Sequence, residues 1–327
     1  METHMGKTAL ITGATSGIGH ELAKLFAQDG YNLVLVARQD EKLREVADEF
    51  RQQYGTQHIQ TIARDLTDPK APEGIYDETK RQGLHVDVLV NNVGQGEYGL
   101  FADETDLQKE LAIIQLNVTS LVHLTKLYLK DMRQKGEGKI LNLASVVSVL
   151  PNPMMAVYGG TKSFVYSFSE ALRNELQDTG ITVTALLPGA TDTNFFRAAG
   201  AEGTRAHKMA QATGDPAKVA QDGYDALMSG KDKVVSGLMN KAQIAMGHFM
   251  PDQMNASSMR KLMEREGEEQ RTERSSDWLF PALLAGTAAT LALIWAFGKN
   301  MSTYDKLKYQ YKASRVKKDL LDAISLN

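Results

Sequence analysis

The chain has 327 residues, enough for one large α/β domain with an appendage or for two modest domains. Its net charge of −3 gives no global attraction for polyanions, so no nucleic-acid partner is expected. It contains no cysteine, which excludes disulfides, thiolate zinc sites and thiol nucleophiles.

The opening "METHMGKTALITG" runs directly into a strand pattern and lacks the long apolar core of a signal peptide, so a cytoplasmic catalytic domain is expected. Strands are predicted at 7–12, 32–38, 59–66, 86–92, 139–145, 182–189 and 233–237. Most lack polar alternation, which marks strands buried on both faces of a helix-covered parallel sheet. Between them lie amphipathic stretches, such as Leu111, Ile114, Val118, Leu121 and Val122, spaced for one helical face. This alternation predicts an α/β fold with a doubly wound parallel sheet of about seven strands, of Rossmann type, and ligands outside the carboxyl ends of the strands.

The composition then changes. The catalytic domain is expected to span 1–250 and a charged helical linker 251–277. Residues 278–297, "WLFPALLAGTAATLALIWAF", carry no charge, and a basic tail follows over 298–327. Twenty residues make a helix about 30 Å long, enough to cross a hydrocarbon core, and Trp278 and Trp295 sit near its ends as interface anchors would. A single span would place the basic tail and the catalytic domain on opposite sides, although both favour the cytoplasm. A hairpin bent at Gly286, a shallow interfacial helix or a helix buried in an oligomer avoids that conflict. Membrane association through 278–297 is the expectation, with an oligomerisation element as the alternative.

The segment "TGATSGIG" (12–19) follows the first strand and opens a helix. Gly13, Gly17 and Gly19 permit a tight turn that brings backbone N–H groups onto a pyrophosphate at the helix N-terminus, with Thr15, Ser16 and Ile18 in the same turn. The spacing is G-x-x-x-G-x-G rather than G-x-G-x-x-G. The second strand ends at Ala37 and Arg38, beside the expected adenosine ribose, where a guanidinium suits a 2′-phosphate. Arg38, helped by Lys42, therefore argues for NADP (NADPH). None of the seven histidines has a partner at metal-ligand spacing, so no metal is expected.

The segment "YGGTK" (158–162) holds a phenol and an ammonium four residues apart, on one helical face. A tyrosine titrates at about 10, and a neighbouring ammonium is expected to stabilise its phenolate and lower that value. Two glycines cost a helix interior roughly 1 kcal/mol each, which suggests close packing there by another helix or by the cofactor.

"TGATSGIG", "NNVG" (91–94), Asn117, Ser145, "YGGTK" and "PG" (188–189), in this order and spacing, resemble the short-chain dehydrogenase/reductase family over about residues 5–240. Two departures are that Val93 replaces the family's usual alanine and that no basic residue precedes the second glycine of the turn. The resemblance implies a catalytic set. Tyr158 would be the general acid that protonates a carbonyl oxygen, and Ser145 would hydrogen-bond the same oxygen. Lys162 would hold the nicotinamide ribose, and Asn117 would position a water in a proton relay. It further implies cofactor contacts at Asp65, Leu66, Asn92, Pro188, Gly189 and Thr193, and it makes a homo-oligomer expected.

The loops beyond the strand ends offer an apolar lining of Tyr98, Leu100, Phe101, Val147, Val149, Met154, Met155, Phe195 and Phe196, with Arg197 the one basic group. Ser145, Val147, Met155 and Phe195 are the candidate substrate contacts. The expected function is an NADPH-dependent oxidoreductase interconverting a ketone and a secondary alcohol on a hydrophobic, lipid-like substrate, such as a 3-oxoacyl, sphingoid or steroid compound. The alternatives are a broad-range soluble carbonyl reductase and a non-catalytic NADP(H)-binding sensor or scaffold.

Overall fold

The computed structural model describes residues 6–265. The segments 278–297 and 298–327, expected to associate with a membrane or to form a basic tail, lie outside the described residues. Seven strands form one parallel sheet: β1 (Thr8–Thr12), β2 (Asn32–Ala37), β3 (Ile59–Ala63), β4 (Val88–Asn91), β5 (Glu137–Leu143), β6 (Gly180–Leu187) and β7 (Lys233–Val235). Their order is β3-β2-β1-β4-β5-β6-β7. The chain winds outward one way from β1 and then reverses at β4, which opens a crevice at the carboxyl ends of these two neighbours.

Successive residues of each strand feed opposite cores, as the period of two requires. Ala9 and Ile11 of β1 pack with Leu22 and Phe26 of α1 (Gly17–Gln28), Phe50 of α2 (Asp40–Tyr54) and Tyr224 of α9 (Pro216–Met228). Leu10 faces the other layer, with Ile75 of α3 (Ala71–Arg81), Tyr128 of α5 (Ser120–Lys135) and Leu172 of α6 (Ala156–Glu175). Both faces of the sheet are therefore covered, which explains why its strands read as nearly unbroken apolar runs.

The helix predicted around residue 114 forms, but with a different buried face. α4 (Leu107–Ile114) runs into a π-helical turn, Gln115–Thr119, before α5 begins. The buried stripe runs instead through Glu110, Ile113, Asn117, Ser120 and Leu124, one position before most of the expected face and partly polar. Ile113 and Leu116 are buried, whereas Leu111 and Ile114, expected on the core face, are 48% and 39% exposed.

Beyond β6 the chain builds a cover over the crevice from α7 (Phe195–Ala198) and α8 (Arg205–Thr213), and beyond β7 from α10 (Leu238–Phe249) and α11 (Asp252–Met263). The segment assigned to a charged linker thus supplies α11. Its C-terminal end is tied down: Arg205 N–H donates to the Glu264 carbonyl (3.2 Å), and Arg265 forms a bridge with Thr204.

Candidate active site

A cavity of about 520 Å³ runs across the carboxyl ends of the strands, from the glycine turn after β1 to the cover helices. All the sequence-derived cofactor residues line it: Gly13, Thr15, Ser16, Gly17, Ile18 and Gly19; Arg38, Lys42, Asp65 and Leu66; Asn92, Tyr158, Lys162, Pro188, Gly189 and Thr193. The four substrate candidates, Ser145, Val147, Met155 and Phe195, line it too.

The glycine turn is shaped by close approach as well as by conformation. Gly13 and Gly17 have φ of 70° and 55°, in the left-handed region. Gly19 adopts an ordinary conformation, yet a methyl group on it would stand 2.3 Å from the Gly13 carbonyl oxygen and from Asn92 Nδ2. The Asn92 amide clamps this turn by donating to the Thr12 carbonyl (2.8 Å) and the Gly13 carbonyl (3.4 Å). Ser16 precedes α1 but its side chain does not cap the helix, and no acidic residue lies in the first turn. The first N–H groups of α1 therefore remain available to an anion, with the helix dipole favouring it. A nicotinamide dinucleotide fits these features, with its pyrophosphate on the glycine turn and its adenosine toward Arg38 and Asp65.

At that adenosine end Arg38 and Lys42 are exposed. Asp65 is less available, since its carboxylate accepts from the backbone N–H and the hydroxyl of Thr67, at 2.9 and 2.8 Å. This local turn occupies the Asp65 side chain, although the residue still borders the cavity.

Ser145 follows β5. Its backbone is fixed by the Ser148 hydroxyl, which accepts from Ser145 N–H (3.1 Å) and donates to the Lys162 carbonyl (2.9 Å). That hydroxyl couples the strand end to α6; the Ser145 hydroxyl itself donates to the Pro188 carbonyl (3.4 Å) and lies beside Tyr158. Lys162 lies on the same face of α6, buried, with Nζ 5.8 Å from the Tyr158 ring centroid and donating to the Leu143 carbonyl (2.7 Å).

The expectation that Lys162 lowers the tyrosine's pKa is not met in this structure. Desolvation dominates and pushes the phenol up to about 12, opposed only by the neighbouring Ser145 hydroxyl. Desolvation likewise depresses Lys162 to about 8. The phenol is therefore fully protonated at neutral pH and can act as a proton donor.

Asn117 is 2% exposed and lies behind the cavity rather than on its wall. It sits in the π-helical turn and grips the backbone of Gln95 from both sides. Its Oδ1 accepts from Gln95 N–H (3.0 Å), and its Nδ2 donates to the Gln95 carbonyl (2.9 Å) and to Thr161 Oγ1 (3.0 Å). Asn117 thus connects the loop after β4 to α6, one residue from Lys162. Thr161, the remaining member of this chain, lies inside the YGGTK segment, where nothing in its local spacing signals this role.

The glycine pair of "YGGTK" has a different neighbour from the one expected. A methyl on Gly159 would stand 2.9 Å from Cβ of Asn152, a loop residue, and its three nearest neighbours all belong to Asn152. Nothing lies within 4 Å of the corresponding position on Gly160, and nothing in the structure explains a glycine there.

Of the expected apolar lining, Tyr98, Leu100, Phe101, Val149 and Met154 stay off the cavity wall. Phe101 is 62% exposed, and Tyr98 instead spans the cover, donating from its hydroxyl to the Met263 carbonyl (2.8 Å). Met259, Leu262 and Met263 of α11 and Gln243 of α10 take their place. The three apolar residues sit at i, i+3 and i+4, a helical face that periodicity within the supposed linker could have exposed. Gln243 carried no such signal.

The short chain dehydrogenase family model matches residues 7–203, and the chain belongs to that family of oxidoreductases. It is 38% identical over 192 residues to sulfoacetaldehyde reductase 2 of Chromohalobacter salexigens, a match covering 58% of this chain and 75% of the relative. It is also 38% identical over 189 residues to the very-long-chain 3-oxoacyl-CoA reductase of Rattus norvegicus, covering 56% of this chain and 59% of that one. Among solved structures, a short-chain dehydrogenase from Sphingobium yanoikuyae in complex with NADPH aligns with a TM-score of 0.66 at 29% identity, over 83% of this chain and 98% of that chain.

Gly19→Ala sets a methyl against a backbone carbonyl that cannot yield without unmaking the turn. It is expected to weaken nicotinamide-dinucleotide binding at least about tenfold, read by titration calorimetry. An unchanged affinity in a folded variant would contradict this account of the turn.

Proposed function

We propose that the chain is an NADPH-dependent oxidoreductase that interconverts a ketone and a secondary alcohol on a hydrophobic substrate. The observation that carries this reading is the buried Tyr158 phenol, held protonated beside Ser145 on the wall of an apolar chamber. Bound NADPH supplies the hydride. Tyr158 donates its phenolic proton to the carbonyl oxygen as charge develops there, and Ser145 orients that oxygen by a second hydrogen bond. The resulting phenolate is stabilised by the Lys162 ammonium, and Asn117 holds the loop and helix that frame the pair. Val147, Met155, Phe195, Met259 and Leu262 exclude water and give the chamber its apolar character.

NADPH is preferred over NADH because Arg38 and Lys42 stand exposed at the adenosine end, where a 2′-phosphate would meet two cations. A lipid-like substrate agrees with the chamber lining and with the similarity to a very-long-chain 3-oxoacyl-CoA reductase. A binding-only sensor would have no need of a protonated phenol aligned with a serine hydroxyl.

Among the described residues no helix is long and apolar enough to cross a membrane. Membrane association is therefore proposed from 278–297 alone. The proposed homo-oligomer has a candidate surface in the exposed Leu107, Leu111 and Ile114 of α4 and Phe164 of α6. The full chain is expected to float with phospholipid vesicles and to sediment above 36.0 kDa; failure of either removes the corresponding proposal.

Tyr158→Phe should lower kcat for ketone reduction about 10²–10⁴-fold while cofactor affinity persists. Near-normal turnover by this variant would exclude the mechanism. Arg38→Ala should weaken NADPH binding about tenfold and leave NADH binding nearly unchanged. Equal losses for both cofactors would count against the 2′-phosphate role.

A further inference from the structure

Eight large apolar side chains are exposed among the described residues. Four of them, on α4 and α6, form the surface proposed above for an oligomer. The other four are Phe101, Met209, Leu238 and Met239, and all belong to segments that rim or roof the chamber. Isolated exposed apolar residues are ordinary, but an adjacent pair beside a cavity mouth marks a contact surface.

Their positions relative to the chamber follow from specific contacts. Met209 of α8 lines the cavity and is yet 39% exposed, so it stands at the mouth. The first turn of α10 lies against the Pro188–Gly189 turn, since a methyl on Gly189 would come within 2.3 Å of the Asn240 amide. That amide is held in place by donating to the Ser236 carbonyl (2.7 Å). Leu238 and Met239 open this turn and are 80% and 75% exposed. Met239 precedes the lining residue Gln243 by four positions and so shares its face of the helix.

Charge and chain length select what covers them. The cover segments 195–213 and 238–265 carry seven Lys or Arg against three Asp or Glu, whereas the whole chain stands at −3. Lys208 adjoins Met209, and Lys241 lies two positions after Met239, both exposed. Apolar side chains flanked by cations suit the boundary between acyl chains and anionic headgroups. Arg265, where the described chain ends, is fastened to the cover by donating to the Gly200 carbonyl (2.8 Å). The uncharged segment begins at Trp278, thirteen positions later. Thirteen residues reach at most about 45 Å, so a bilayer holding that segment is within reach of the cover.

We infer that the cover is a membrane-docking face, on which Met209, Leu238 and Met239 enter the headgroup boundary of an anionic lipid surface. The chamber mouth beside them then opens toward the acyl chains, and a hydrophobic ketone passes from lipid to chamber without crossing bulk water. That route rests on the proposed reductase reading; the docking itself does not.

The lack of cysteine allows a single label to report the docking. Full-length Met239→Cys, carrying an environment-sensitive fluorophore, is mixed with phosphatidylcholine vesicles with and without phosphatidylserine, and flotation is measured on the same samples. With phosphatidylserine the emission should shift to shorter wavelength and be quenched by brominated acyl chains. A label on Gln82→Cys, exposed just beyond α3, should do neither. Leu238→Cys serves as the second position if the first variant does not fold. The double variant Leu238→Gln, Met239→Gln should lower kcat/KM for a vesicle-embedded ketone about tenfold while leaving a short, water-soluble ketone unaffected. An unshifted label on protein that floats overturns the docking while association through 278–297 stands; absence of flotation overturns both. Emission already shifted without vesicles would mean that 278–297 or a second copy covers the pair, and overturns the inference as well. Absence of Tyr158-dependent turnover on every ketone overturns the reductase reading and the ketone's route, and the fluorescence alone then decides the docking.

Discussion

A parallel sheet covered on both faces can bind a ligand only where its strands end. Each strand here is buried between helices, so the sheet's own backbone and side chains are committed to the two cores. The exception is the edge at which the chain leaves β1 and β4 in opposite directions, where no crossover fills the space. The glycine turn, the ends of β2 and β5, and the Pro188–Gly189 turn after β6 all open onto that gap. The chemistry of the protein depends on this topological break, because it brings residues from widely separated segments of sequence to one cavity.

Within the cavity, burial rather than charge pairing sets the protonation states. Removing Tyr158 and Lys162 from water favours the neutral form of each, raising one pKa and lowering the other. The two values move toward each other, to about 12 and about 8. For the proton donor proposed above this is a useful ground state, since the phenol holds its proton until an oxygen beside it gains charge. Ser148 couples strand end to helix, and Asn117 couples loop to helix; both do so through side-chain hydrogen bonds that hold the geometry.

The cover defines what else can enter. α11 lies in a segment dense in charge, yet it turns Met259, Leu262 and Met263 inward. Its end is held by Tyr98, by the Thr204–Arg265 bridge, and by Arg265, which donates to the Gly200 carbonyl (2.8 Å) and stacks over the Tyr98 ring at 5.0 Å. Loop, cover and C-terminal helix thereby close one apolar chamber. Thioether side chains suit such a wall because they adapt to irregular apolar shapes.

Much of this was already legible in the sequence. Unbroken apolar runs alternating with amphipathic stretches determined a seven-strand doubly wound sheet, because strands buried on both faces have no room for polar alternation. The glycine spacing, Ser145, Tyr158 and Lys162 were legible because each motif is short in sequence and tied to a strand end or a single helical turn. Tertiary structure alone decided the rest. The buried face of α4 runs through Glu110 and Ile113, and apolar spacing does not announce a buried carboxylate. Desolvation reversed the expected pKa shift of Tyr158, since burial is a property of the whole enclosure. Gly159 makes room for Asn152, seven positions earlier, and α11 roofs the cavity more than a hundred residues after Ser145. Contacts of that kind depend on how separate elements pack, which local spacing does not encode.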